Sequence, residues 1–460
     1  MGSESGLFGM GGASEGNTVI GASWAGRRKV TGLIRSWLLV TALLLAVAAT
    51  IAVFAGSRPA AAAGREPDAT HWVTSWGASP QAAGRDTLAA VGFDDQTVRD
   101  VIFTSVGGDP IQLELTNAYG ASPLLIGRVT VAVAGSDGAL APGTVYPVTY
   151  RGRASFRIPA GARVLSDPVA MRVWPLEELA VSVYLPHRTG RATYHLDAYQ
   201  VNWVSVRGDH AADSEASAFV VRTTSWFYLS GLIVRSAQAD GTVVAIGDSI
   251  TDGVGSDVGA NARWPNDLAR RLDAVRGTTL AVADEGIGGN QVLTNSPVYG
   301  VSAEARFQRD VLDQPGVRDV IVLEGINDIG FSPIGAHRDA EGLSRLGTEV
   351  SAAQIIAGYR RLIAAAHARG LRIFGGTLLP FQGAGYYSAA GEATREAVNH
   401  WIRTSGAFDG VIDFDKVMRD RADPLRLNPL YNSGDHLHPN DAGYQAMANA
   451  INLATLLPSA

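Results

Sequence analysis

The hydrophobic pattern changes once along this chain, near residue 240, and that change restricts the fold more than any other feature. Between residues 70 and 236 apolar and polar side chains alternate. "IQLELTN" sets Ile111, Leu113 and Leu115 against polar neighbours, "VTVAV" does the same with Val129, Val131 and Val133, and "LAVSVYLP" with Val181, Val183 and Leu185. A period of two sends one face of each strand into a core. Turn clusters such as "GGDP" and "GSDG" separate the runs, which predicts an antiparallel, jelly-roll-like β-sandwich. Beyond "SAQADG" the strands are short and apolar on both faces: "TVVAI", "TLAVA", "DVIVL", "LRIFGGTLL" and "VIDF". Between and after them stand helical patterns such as "WPNDLARRLDAV", "AAQIIAGYRRLIAAAHARG", "EATREAVNHWIRTSG" and "DAGYQAMANAINLATLL". Such alternation predicts a parallel sheet covered on both sides. The expected organisation is a β-sandwich over 70–236 followed by an α/β domain over 240–460.

The first 63 residues fit neither part. Arg27, Arg28, Lys29 and Arg35 precede an uncharged apolar run from Trp37 to Gly56, and Ala61 and Ala63 then offer a small-x-small cleavage pattern. The run suits a cleaved signal peptide or a retained membrane anchor. Positive charge ahead of it keeps that end in the cytoplasm and sends the bulk of the chain outside. The expected location is therefore secreted or on the outer face of the cell membrane, with membrane contact only through this segment. Arg27-Arg28 is a partial twin-arginine signal.

Charge and composition narrow the partners. The formal net charge of −6 becomes −9 if residues 1–63 are removed, since five positive and two negative residues go with them. Neither value favours nucleic acid. There is no cysteine, which removes disulfides, thiolate metal sites and cysteine nucleophiles.

Ligands of open α/β sheets bind beyond the carboxyl ends of strands, and three short stretches sit at such ends. In "VVAIGDSITDGVGS" Ser249 follows a strand. The stretch lacks the Lys-Ser/Thr ending of a P-loop and the spacing of a dinucleotide fingerprint, and Thr251 stands where a G-x-S-x-G elbow needs glycine. Alone, Ser249 reads as a helix cap or a nucleophile. "GIGGN", Gly286 to Asn290, offers backbone N–H groups without side-chain obstruction. In "EGIND", Glu324 to Asp328, Asn327 is a side-chain donor or a helix cap. A fourth stretch, "GDHLHPNDAGY", places Asp435 three residues before His438, ahead of the last helix. That turn suits a carboxylate orienting an imidazole, a cap formed by Asp441, or a metal site of Asp435, His436 and His438 without the usual zinc spacing. Together the four stretches supply nucleophile, base, orienter and oxyanion donors at one sheet edge.

With those blocks, "GDSIT", "GIGGN", "GIND" and "DHLHP", the segment from Thr242 to Leu457 resembles the SGNH, or GDSL, hydrolase family. The resemblance implies a flavodoxin-like three-layer α/β/α fold and ester hydrolysis with no cofactor and no metal. By motif it implies Ser249 as nucleophile, His438 as base and Asp435 as its orienter. The oxyanion hole would comprise the N–H groups of Ser249 and Gly289 with the side chain of Asn327, and His436 would not be the motif histidine. One departure is Asp284, where the family's block usually begins with asparagine. The whole chain also resembles secreted actinobacterial esterases that set a β-rich domain before the SGNH domain.

The expected activity is a carboxylic ester hydrolase, on acyl or acetyl esters of small molecules or polymers. The same residues would serve an acyltransferase. A wall- or glycan-binding protein with a scaffold α/β domain is the alternative from another class, with Trp203, Trp226 and Tyr228 as a sugar-binding face or as core. Trp264, Tyr299, Phe331, Phe381, Tyr386 and Tyr387 fall near loops able to flank Ser249, as walls of an acyl pocket or equally as packing. The stretch from Phe331 to Val350 is a candidate lid.

Overall fold

A computed structural model describes residues 70–331 and 350–457. Both the N-terminal apolar run and nearly all of the candidate lid lie outside the described residues. Among the described residues no helix is long and apolar enough to cross a membrane.

The alternating segments form the two faces of a sandwich. One antiparallel sheet orders its strands Phe219–Thr223, Asn202–Arg207, Gln96–Phe103, Glu178–Leu185, Arg128–Val133 and Tyr146–Val148. The other runs His71–Gly77, Leu229–Ser236, Ile111–Thr116 and Arg163–Leu165. The period-2 residues do what their spacing predicts. Ile111, Leu113 and Leu115 are buried with Val129, Val131, Val181, Val183 and Leu185 in one core, while Gln112 and Glu114 are only half-buried. A small third sheet pairs Thr193–His195 with Trp226–Phe227 on one side and Gln81–Ala82 on the other.

The second half is a parallel sheet with strand order Thr279–Gly286, Ala239–Gly247, Val317–Leu323, Arg372–Gly376, Gly410–Ile412. In chain order this is 2-1-3-4-5, the flavodoxin-like arrangement, whose switch point lies between strands one and three. The helices Trp264–Asp273, Ala352–His367, Ala389–Thr404 and Asp441–Ala450 accompany it. Val243, Val244, Ala245, Ile246, Val320, Ile321 and Val322 are all buried, as expected of strands covered on both sides.

The two halves are joined tightly. Only Ala237 and Gln238 separate Leu229–Ser236 from Ala239–Gly247, and the described residues fall in one compact unit, Asp68–Ala460. The contact between them is buried, with Ala239 and Ala281 packed into the core of the β-rich half and several polar bonds beside them. Thr74 donates its N–H to Thr242 Oγ1 at 3.0 Å, and Val282 N–H donates to Ser105 Oγ at 2.9 Å. Ser79 Oγ lies 2.7 Å from Glu285 Oε2 and 2.9 Å from Asp310 Oδ2.

Candidate active site

The switch point sets where the functional side chains emerge. Ser249 follows the first parallel strand, the Gly286–Asn290 loop follows the second, and Asn327 follows the third. At Gly247 the strand passes so close to its neighbours that a Cβ would lie 2.2 Å from Thr251 Oγ1 and 2.3 Å from the Leu323 carbonyl. Glycine is required there. The chain then turns into the short helix Ser249–Asp252, whose cap is Asp248, with its carboxylate accepting from Ile250 N–H at 3.0 Å. Ser249 is not the cap, and its hydroxyl is left for other work.

That hydroxyl meets His438. Nε2 of His438 lies 2.8 Å from Ser249 Oγ, and Nδ1 lies 2.5 Å from Asp435 Oδ2. The turn holding them is built by Asp435 itself, whose Oδ1 accepts the N–H groups of Leu437 and His438, each at 2.9 Å. Burial would raise the Asp435 carboxyl, but the hydrogen bond and charge of His438 outweigh it and hold the group well below the usual range. His436 takes a left-handed conformation with φ +64 and turns its Nδ1 to Asn432 Nδ2 at 3.0 Å, away from the other two. Among the described residues no His, Asp and Glu cluster gathers as metal ligands. The following helix is capped by Asn440, not by Asp441, which instead accepts from Asp257 N–H at 2.9 Å.

The other two loops carry Gly289 and Asn327. Asn327 lies inside the helix Ile326–Gly330, whose cap position is Gly325, so it is not a cap. Its amide is oriented from both ends: Nδ2 donates to the Asn290 carbonyl at 3.0 Å, and Oδ1 accepts from Tyr386 OH at 3.2 Å. One amide hydrogen remains. Gly289 has φ +72, and a Cβ there would fall 2.2 Å from Tyr299 Cδ1, so both backbone and space demand glycine. Among the described residues the N–H groups of Ser249 and Gly289 make no hydrogen bond.

Several side chains to which the motif reading gave no role hold this arrangement. Asp328 accepts from the N–H groups of Val292 at 2.7 Å and Leu293 at 3.1 Å, tying the second loop to the third. Arg306, fully buried, donates to the Gly247 carbonyl at 2.8 Å, the Glu285 carbonyl at 2.5 Å and Asn290 Oδ1 at 2.9 Å. It also lies 3.5 Å from Glu324 and from Asp310. Asp284, where an asparagine was expected, accepts from Gly286 N–H at 3.0 Å through Oδ1. From the sandwich, His195 reaches Asp252 at 3.0 Å, and Asp252 in turn accepts from Gly288 N–H at 2.8 Å. The motif patterns could not reveal these pairs, whose members come from distant parts of the chain.

Of the aromatic residues, Trp264 and Phe381 are fully buried, which settles them as packing and not as pocket wall. Tyr299 packs over Gly289 and stacks on Phe331 at 5.1 Å, and Phe331 meets Tyr386 edge-on at 5.7 Å. These three pack beside Gly289 and Asn327, while Tyr387 packs on Phe381. Trp226 and Tyr228 are buried in the sandwich and present no sugar-binding face, and Trp203 is half-buried under Arg222. A cleft of about 490 Å³ beside the exposed Trp174 lies at the opposite end of the first parallel strand, next to Gln238.

Residues 245–446 match the model of the GDSL-like Lipase/Acylhydrolase family. This segment is a GDSL-like lipase/acylhydrolase domain. The chain that carries it is a carboxylic ester hydrolase. No curated protein matches the chain. Solved structures similar to it include a GDSL-like lipase from Bacteroides thetaiotaomicron, 18% identical over 47% of this chain and 88% of that one, with a TM-score of 0.34. Another is a catalytic mutant of an acetylxylan esterase from Geobacillus stearothermophilus, 22% identical over 46% and 92%, TM-score 0.34. A third is LAE5, an alpha/beta hydrolase enzyme from the metagenome of Lake Arreo, 24% identical over 47% and 95%, TM-score 0.35.

Burial of acids in the GDSL-like domain has a consequence for stability. Desolvation pushes Asp248, Asp284 and Asp328 each up to about 7, against an unfolded value near 3.9. Between those pH values the native chain binds more protons than the unfolded one, so stability falls as pH rises. Asp435, held low, acts oppositely, and its contribution is lost only as pH falls below about 4. Thermal melts followed by circular dichroism should therefore show a higher midpoint near pH 5 than at pH 8. A midpoint that rises to pH 8 contradicts this.

Proposed function

We propose that the chain is a secreted serine esterase that cleaves carboxylic esters through an acyl-enzyme formed on Ser249. The observation that carries the reading is His438 bridging Ser249 Oγ at 2.8 Å and Asp435 at 2.5 Å. His438 Nε2 takes the Ser249 proton as Oγ attacks the ester carbonyl, and Asp435 holds the other ring nitrogen and stabilises the imidazolium. The oxyanion settles among the N–H groups of Ser249 and Gly289 and the remaining Asn327 hydrogen. His438 then protonates the departing alcohol, and water repeats the sequence on the acyl-enzyme. The aromatic wall of Tyr299, Phe331 and Tyr386 excludes water from the oxyanion side. Export is supported by the Arg27–Arg35 charges ahead of the Trp37–Gly56 run.

Asn327→Ala tests the oxyanion assignment. It should lower kcat on p-nitrophenyl acetate by about a hundredfold to a thousandfold with little change in KM, because the donor acts on the transition state. An unchanged kcat would remove Asn327 from the site. A series of acetate, butyrate and octanoate esters would show which acyl length the aromatic wall admits.

A further inference from the structure

His195 belongs to the β-rich half, in the strand Thr193–His195, yet its ring reaches Asp252 on the helix that begins at Ser249. Its Nδ1 is 2.9 Å from the Ser79 carbonyl, and its Nε2 is 3.0 Å from Asp252 Oδ1. A main-chain carbonyl can only accept, so Nδ1 carries a hydrogen. The other nitrogen faces a carboxylate whose second oxygen already accepts from Gly288 N–H at 2.8 Å. A lone pair on Nε2 would oppose the carboxylate, and imidazole is the stronger base of the two. Both ring nitrogens are thus protonated.

We propose that His195 is an imidazolium that positions the oxyanion loop through Asp252, so that the sandwich completes the active site. The inference rests on the serine-esterase reading for its kinetic consequence, but not for the protonation state. The connection runs without a gap from Ser79 to His195, to Asp252 three residues beyond Ser249, to Gly288 and the adjoining Gly289 donor. Ser79 is itself fixed by Arg306, which donates to its Oγ at 2.9 Å. The charged groups around the ring are Asp252 on the nucleophile's helix, Asp197 on the same sandwich segment, Asp284 on the second parallel strand, and Arg263, which lies 3.9 Å from Asp284. The Trp226 ring covers one side at 5.4 Å. Burial alone would lower the ring's pKa, but the charge and hydrogen bond of Asp252 outweigh it and raise it.

Two measurements on the full-length chain test this. In nitrogen-15 spectra of histidine-labelled protein near pH 7.5, His195 should show two protonated ring nitrogens, and a neutral ring with one bare nitrogen overturns the proposal. In His195→Gln, kcat on p-nitrophenyl acetate should fall about tenfold to a hundredfold with KM nearly unchanged, as for a misplaced reacting group. Wild-type kcat should also decline at alkaline pH as His195 loses its proton, and the variant should lose that limb. A variant with wild-type kcat and the same alkaline limb overturns the positioning role. If the variant does not fold, the wild-type spectrum and alkaline limb decide. A wild type as inactive as Ser249→Ala refutes the esterase reading, while the spectrum still judges His195 independently.

Discussion

Replacing Ser249 by alanine is expected to lower kcat on p-nitrophenyl acetate by about 10⁴-fold to 10⁶-fold, the range seen when a triad nucleophile is removed. The fold should survive. Among the described residues the Ser249 side chain forms no cap and no hydrogen bond other than the one to His438, because Asp248 holds the start of the helix. The loss should therefore appear in kcat with unchanged melting behaviour. The residual rate would come from the oxyanion donors and from binding, which do not need the hydroxyl.

The second large effect concerns stability. Arg306→Met should destabilise the protein by about 3–5 kcal/mol, the cost of removing one partner from a buried ionic network. The guanidinium joins the ends of the first two parallel strands through the carbonyls of Gly247 and Glu285, and it faces Glu324 at the end of the third. Its loss would leave Asp310 as a buried charge with only Arg309 beside it. Glu324 and Glu285 are pushed well above the ordinary carboxylate range, first by burial and then by Asp248 and Asp310 respectively, and both would be pushed further. Urea unfolding of the variant beside the wild type measures the difference. A midpoint shifted by less than the scatter of the two curves would show that the network is dispensable.

Much of this was legible before any coordinates. Continuous apolar strands such as "TVVAI" and "DVIVL" are fully buried because helices cover both faces, and the period-2 runs bury one face because the sandwich has one core. The site was legible through its order: serine, glycine pair, asparagine and Asp/His each end or follow a parallel strand, and parallel strands deliver their carboxyl ends to one edge. What could not be read was any contact between distant segments outside the four motif blocks. His195 and Asp252 are 57 positions apart, and Ser79 and Arg306 are 227 apart. No local period encodes such pairs. The aromatic residues stayed ambiguous in the sequence for a related reason. Trp264 and Phe381 stand near the motif loops in sequence, but side-chain direction sends them into the core, whereas Tyr299 and Tyr386 turn toward the glycine and the asparagine.

The central claim is that Ser249 Oγ becomes covalently acylated, and direct trapping tests it best. The protein would be mixed with p-nitrophenyl acetate, quenched in acid within the first turnovers, digested and examined by mass spectrometry. A catalytic Ser249 predicts one acetyl group on the peptide containing it, absent in Ser249→Ala and in His438→Ala. An active enzyme that carries acetyl on another residue, or that turns over with no acyl adduct on Ser249 at any quench time, would contradict the assignment.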